Sequence, residues 1–140
     1  MLAIIPFALL GVIPDADLLF GTHSTYTHSI GAAAIVLGVA RIVTGRWRWA
    51  VAAAAAYASH ILLDWMGNDT TPPIGIMALW PITSDFYEST LHLFLPISRR
   101  YWLPGFLAHN LTAVMRELVV IGPLALLAFW RLERIAHYRH

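Results

Sequence analysis

A mostly apolar stretch from Trp47 to Met66 constrains the fold of this chain more than any other feature. A helix needs roughly 20 residues to cross the hydrocarbon core of a bilayer, and this stretch has that length. The five consecutive alanines at 52–56 favour a helix, because alanine is the strongest helix former. A second apolar run, at 29–44, is rich in Gly and Ala, as interfaces between membrane helices are. The sequence therefore predicts packed membrane helices.

The composition supports the same class of protein. Of the 140 residues, 59% are hydrophobic and 12% are charged, against about 25% charged residues in ordinary soluble domains. The length suits a single domain over residues 1–140. The net charge of +1 offers no basic surface for nucleic acid, so no nucleic-acid partner is expected. The absence of cysteine excludes disulfides and thiolate metal ligands.

Three further segments complete the predicted architecture. The apolar run at residues 2–14 is too short to span a bilayer; it is either a half-helix or the remainder of a truncated N-terminal portion, and we favour truncation. Prolines and glycines at 67–105 exclude one long helix there and leave a short amphipathic segment at 84–95. Residues 106–136 are predicted to form a last helix. The expected fold is all-α, a small polytopic bundle of about four helices that lacks an N-terminal helix.

Acidic and histidine side chains next to membrane helices are costly and therefore suggest function. His60 and Asp64 are four residues apart, which places them on one helix face. Each feature also has a plainer interpretation, since His and Asp can simply hydrogen-bond and Asp can cap a helix. As a set, six such residues point to metal binding, because carboxylates and imidazoles are ligands of divalent ions. The six candidate metal ligands are Asp15, Asp17, His23, His28, His60 and Asp64.

The expected cofactor is a divalent metal ion, zinc first, with manganese or magnesium as alternatives. A single ion with acidic partners and a pair of ions about 3.5–4 Å apart both remain open. Either arrangement would activate water for hydrolysis of a phosphoester or another bond in a lipid or envelope molecule. Asp15 and Asp64 are the candidate catalytic carboxylates. The alternatives are a protein that binds or transports a divalent cation without catalysis, and a hydrogen-bonded polar cap without metal.

Arginines predict the orientation in the membrane. Arg41, Arg46 and Arg48 lie around the connection between the two apolar runs, and Arg131, Arg134 and Arg139 follow the strongly apolar part of the last helix. The positive-inside rule assigns these segments to the cytoplasm. The six candidate ligands then lie on the non-cytoplasmic side of a multi-pass protein whose partner is the lipid bilayer. The oligomeric state is not predictable from these features.

The polar motifs carry a family resemblance. G-V-I-P-D-A-D at 11–17, H-S-T-Y-T-H-S at 23–29, S-H-I-L-L-D at 59–64 and L-W-P-I-T-S-D at 79–85 together resemble the YdjM-like proteins, a family described as LexA-binding, inner-membrane-associated metal-dependent hydrolases. The resemblance covers roughly residues 5–95. It implies a small multi-spanning protein of the bacterial inner (plasma) membrane. The ligands that it implies are Asp15, Asp17, His28, His60 and Asp64, with His23 as an additional candidate.

Two departures from the family pattern affect these expectations. The family usually has a Thr-His pair on a helix before the P-D-x-D motif, and this chain begins after that point, so the site is expected to be one ligand short. The family also often has arginine where this chain has Ser24. The resemblance therefore implies a class of activity and no particular substrate.

Overall fold

The computed structural model of the chain describes residues 4–20, 23–70, 72–98 and 100–137. The prediction of an all-α fold is confirmed, since no regular strand occurs among these residues. The chain divides into two compact units, residues 1–93 and residues 94–140, and the single domain over 1–140 stays a prediction. The helical segments are α1 (Ile4–Leu10), a 3₁₀ helix (Ile13–Phe20), α2 (Ile30–Thr44), α3 (Trp47–Trp65) and α4 (Phe106–His137).

The ends of α2 are determined by local sequence. Ser29 has an extended backbone, and its side chain accepts a hydrogen bond from the Ala32 amide, so Ser29 is the N-cap. Gly45 ends the helix with φ +65°, a left-handed conformation that glycine adopts without steric cost. Only Gly45 and Arg46 connect α2 to α3, so the two helices run antiparallel. The last turns of α3 therefore lie beside the first turn of α2.

The irregular segment after α3 packs on that same end of the helix pair. The carbonyls of Ala78 and Trp80 accept hydrogen bonds from the amides of Ile30 and Gly31 at 2.9 Å. These amides belong to the first turn of α2, where no carbonyl of the helix itself is available to them. Residues 84–95, predicted as an amphipathic segment, are not helical, and the Ser89 amide donates to the Trp65 carbonyl at 2.8 Å. Through these hydrogen bonds, residues 78–89 hold the end of α3 against the start of α2.

Substitution of Gly31 by alanine is expected to destabilise the first unit. A Cβ atom at Gly31 would lie 2.7 Å from both the ring of Trp80 and its carbonyl oxygen, whereas a Cβ at Gly38 meets nothing within 4 Å. We expect Gly31→Ala to lower the free energy of unfolding by about 1–3 kcal/mol through overpacking. Gly38→Ala should raise it by about 0.5–1 kcal/mol through helix propensity. Thermal unfolding in detergent checks both, and equal stability of the two variants would contradict this account.

The second unit contains the longest helix. Phe106–Arg131 of α4, with a mean hydropathy of 1.8, is the one described helix long and apolar enough to cross a membrane, while α2 is apolar but shorter. Just before α4, the chain is attached to the first turns of the helix. The Ser98 amide donates to Asn110 Oδ1 at 2.8 Å, and the Asn110 amide group donates to the Ser98 carbonyl at 3.0 Å. Asn110 is therefore hydrogen-bonded where α4 would enter the apolar layer.

Candidate metal centre

Four of the six candidate ligands form one cluster in the first unit. The four-residue cluster takes Asp15 from the 3₁₀ helix, His28 from the residues just before α2, and His60 and Asp64 from α3. One potential ligand atom from each residue lies within 4.8 Å of all the others. The antiparallel arrangement of α2 and α3 accounts for this proximity, because it returns the end of α3 to the start of α2.

The ring nitrogens in the cluster face carboxylate oxygens. Asp64 Oδ2 lies 3.1 Å from His28 Nε2 and 3.2 Å from His60 Nε2. Asp15 Oδ1 lies 3.4 Å from His60 Nε2 and 3.7 Å from His28 Nε2. These distances are short, yet neither Nε2 atom has a hydrogen-bond partner of acceptable geometry among the described residues, and both atoms are buried. The contacts are therefore close approaches of ring nitrogens to carboxylate oxygens without well-aligned hydrogen bonds.

The other nitrogen of each ring has an acceptor. His28 Nδ1 lies 3.1 Å from Asp17 Oδ2 and 3.1 Å from the Thr27 hydroxyl. The His60 ring hydrogen-bonds the backbone of Gly11, and since its Nε2 is unbonded, Nδ1 makes this contact. A neutral imidazole carries one proton, which we assign to Nδ1 in both rings. Each Nε2 is then a bare lone pair directed towards carboxylate oxygens.

This arrangement fits a cation. Two imidazole nitrogens and two carboxylate oxygens are all acceptors, and acceptors that converge in a buried place repel one another unless a positive charge lies between them. Nitrogen and oxygen ligands in this number are typical of zinc and related divalent ions. A metal-binding His also usually donates its second N–H to a carboxylate or a backbone carbonyl, as Asp17 and Gly11 provide here.

Asp17 and His23 lie outside the four-residue cluster. His23 Nδ1 is 2.8 Å from Asp17 Oδ1, and the Thr27 hydroxyl donates to Asp17 Oδ2 at 2.8 Å. His23 Nε2 lies 4.0 Å from Asp15 Oδ1. Asp17, His23 and His28 also have potential ligand atoms within 4.8 Å of one another. The structure thus places the six residues in a group of four and a group of three, and the two groups share His28.

The environment of Asp17 keeps it ionised. Burial alone would raise the pKa of Asp17, but hydrogen bonds from His23 and Thr27 and the electrostatic attraction of His28 and His23 outweigh it. The net pKa lies below the ordinary value of 3.8. At neutral pH, Asp17 is therefore a carboxylate that only accepts hydrogen bonds.

Two supporting residues were missed by sequence reasoning. The Thr27 hydroxyl donates to Asp17. Tyr57, which is 3% exposed, donates from its hydroxyl to the Thr27 carbonyl at 2.7 Å. Tyr57 precedes His60 by three residues on the same helix, and this spacing is the signal that could have identified it as a neighbour of the site.

The acidic and histidine residues of the later loop do not join the four-residue cluster. Glu88 accepts a hydrogen bond from the Asp69 amide at 2.6 Å, and Asp85 accepts one from the Thr83 hydroxyl at 2.7 Å. Neither acid, nor His92, belongs to a group of potential metal ligands among the described residues. These contacts join residues of the loop to one another and stabilise its conformation.

Comparison with known proteins gives one match over nearly the whole chain. The model of the YdjM inner membrane protein family matches residues 2–138. No curated protein and no solved structure matches the chain. The match supports a location at the inner membrane, and what the chain does there has to be inferred from its own residues.

Proposed function

Because the chain belongs to the YdjM inner membrane protein family, we propose that it is a membrane-bound metal-dependent hydrolase whose active site is the four-residue cluster. One observation carries the proposal. The bare Nε2 atoms of His28 and His60 converge, buried and without hydrogen bonds, on the carboxylates of Asp15 and Asp64. A cation placed between these acceptors would stabilise the arrangement.

Asp15, His28, His60 and Asp64 would hold the ion. Zinc is the first choice, since imidazole nitrogens favour it over the harder magnesium ion, and manganese is the next alternative. When bound, a divalent ion supplies Lewis acidity and lowers the pKa of a coordinated water to about 7. The four residues each offer one ligand atom to a single ion.

The residues of the cluster have different roles in binding and in proton transfer. The His28 side chain is 0% exposed, so it lies on the buried side of the site. Asp15 and Asp64 have side chains 40% and 34% exposed, so substrate and water approach from their side. Each directs one oxygen into the cluster, Oδ1 of Asp15 and Oδ2 of Asp64. The second oxygen of either carboxylate can accept the proton of an attacking water, which is the role of a general base.

The location favours a substrate in the membrane or the envelope. Arg41, Arg46 and Arg48 lie at the end of the α2–α3 pair opposite to the cluster. If these arginines face the cytoplasm, the site opens on the non-cytoplasmic side of a multi-pass protein. At that level it meets lipid head groups first, so the preferred substrate is a phosphoester or another hydrolysable bond of a lipid or envelope molecule.

A hydrolysis assay tests this function. Detergent-purified protein is loaded with Zn²⁺ and assayed on bis(p-nitrophenyl) phosphate and on phospholipid micelles. We expect hydrolysis that chelation with EDTA abolishes, that added Zn²⁺ restores, and that Asp15→Asn lowers by about 100-fold or more, as losses of a general base typically do. Tightly bound metal without hydrolysis of either substrate would instead support the non-catalytic cation-binding alternative.

A further inference from the structure

We propose that Asp17 is not a metal ligand but a positioning residue, which holds His28 in the tautomer that presents its Nε2 to the metal. The proposal rests on the metal centre proposed above and concerns a residue outside the four-residue cluster. It changes the role that the P-D-A-D motif suggests, in which Asp15 and Asp17 bind the ion together.

Both oxygens of Asp17 are already engaged. Oδ2 lies 3.1 Å from His28 Nδ1 and accepts the Thr27 hydroxyl at 2.8 Å, while Oδ1 lies 2.8 Å from His23 Nδ1. Asp17 is only 6% exposed, so it cannot exchange these partners for water. A carboxylate in this position faces imidazole nitrogens on two sides, and neither of its oxygens belongs to the four-residue cluster.

The contact with His28 determines which nitrogen of that ring is free. With its proton on Nδ1, directed towards the Thr27 hydroxyl and the Asp17 carboxylate beside it, a neutral ring leaves Nε2 unprotonated. An asparagine at position 17 could not do the same for both rings, because an amide has one acceptor atom and one donor group. Metal binding would then require the amide oxygen to face His28 and the N–H to face His23. A neutral amide oxygen attracts the Nδ1 proton of His28 less strongly than a carboxylate does, so the tautomer with a free Nε2 would be less favoured.

The test is a Co²⁺ titration followed by visible absorption, with the full-length protein in detergent. We expect Asp17→Asn to raise the dissociation constant by about 10- to 100-fold, as loss of a residue that orients a ligand does. At saturating Co²⁺ its spectrum should match that of the wild type, because the ligands are unchanged. His23→Gln is the matched control, since it removes the other imidazole partner of Asp17, and it should leave the dissociation constant nearly unchanged.

Several outcomes would overturn the proposal. An unchanged dissociation constant in Asp17→Asn would show that Asp17 does not orient His28. A different spectrum at saturation would show that Asp17 is itself a ligand, and an equal loss in His23→Gln would place the ion at Asp17, His23 and His28. If the wild-type protein shows no Co²⁺ spectrum, the metal centre itself is refuted, which is a different result from the three above.

A second variant is available if Asp17→Asn does not fold. Thr27→Val removes a hydrogen-bond donor to Asp17 and keeps a side chain of similar shape. We expect this variant also to have a raised dissociation constant for Co²⁺ and the wild-type spectrum at saturation.

Discussion

Replacement of His60 and Asp64 together by alanine is expected to remove the bound metal completely. The two residues provide half of the four-residue cluster and lie on one face of α3. Two remaining ligands do not complete the four donors that a zinc site in a protein usually has. Elemental mass spectrometry of detergent-purified protein should find about one equivalent of Zn, or of Mn, in the wild type. The double variant should contain about a tenth of that or less.

The matched control makes the same kind of change elsewhere. Asp85 contacts Thr83, and His109 contacts the Pro96 carbonyl at 2.7 Å, so the double variant Asp85→Ala, His109→Ala also removes one Asp and one His. It should keep the full metal content. If both double variants keep their metal, or if a helical wild type binds none, the four-residue cluster is not a metal site. Circular dichroism of each preparation shows that the helices remain.

Removal of the metal should lower the melting temperature at neutral pH and have no effect in acid. A ligand that binds only the folded state at 100 times its dissociation constant stabilises that state by about 2.7 kcal/mol. For a chain of this length that corresponds to a shift of roughly 5–10 °C. Metal binding requires neutral imidazoles and ionised carboxylates, so affinity falls as protons compete. The stabilisation is thus present at about pH 7.5 and is lost as the pH falls towards about 5.5.

The measurement compares melting temperatures with Zn²⁺ and with EDTA at each pH, so that effects of pH on the protein alone cancel. His28→Gln should remove the difference at every pH, because His28 Nε2 is a member of the four-residue cluster. His23→Gln should retain it, because His23 is not a member of the four-residue cluster. A melting temperature that does not change with EDTA at pH 7.5, in protein shown to contain metal, would contradict a site that is formed only by folding.

The helices and their ends could be predicted from local sequence. Ser29 and Gly45 limit α2 because capping and left-handed conformations depend on the residue itself. The last helix was predicted over 106–136 and spans Phe106–His137. The irregular path of residues 67–105 could be predicted only as an absence of helix. Its hydrogen bonds to the start of α2 and the end of α3 join residues far apart in sequence, and no local preference encodes such pairs.

The sequence by itself determined that the chain is all-α and that its acidic and histidine residues gather at one end of a helix pair. It could do so because the spacing of apolar residues, the helix caps and the short connection between the two helices are all local properties of the sequence. Only the tertiary structure decided which of these residues face one another. Asp15 and Asp17 are two residues apart, yet Asp15 faces the Nε2 side of His28 and Asp17 its Nδ1 side. That division depends on how the 3₁₀ helix lies against His28, and on support from Thr27 and Tyr57. Side-chain orientation of this kind results from packing between distant segments, which spacing along the chain does not specify.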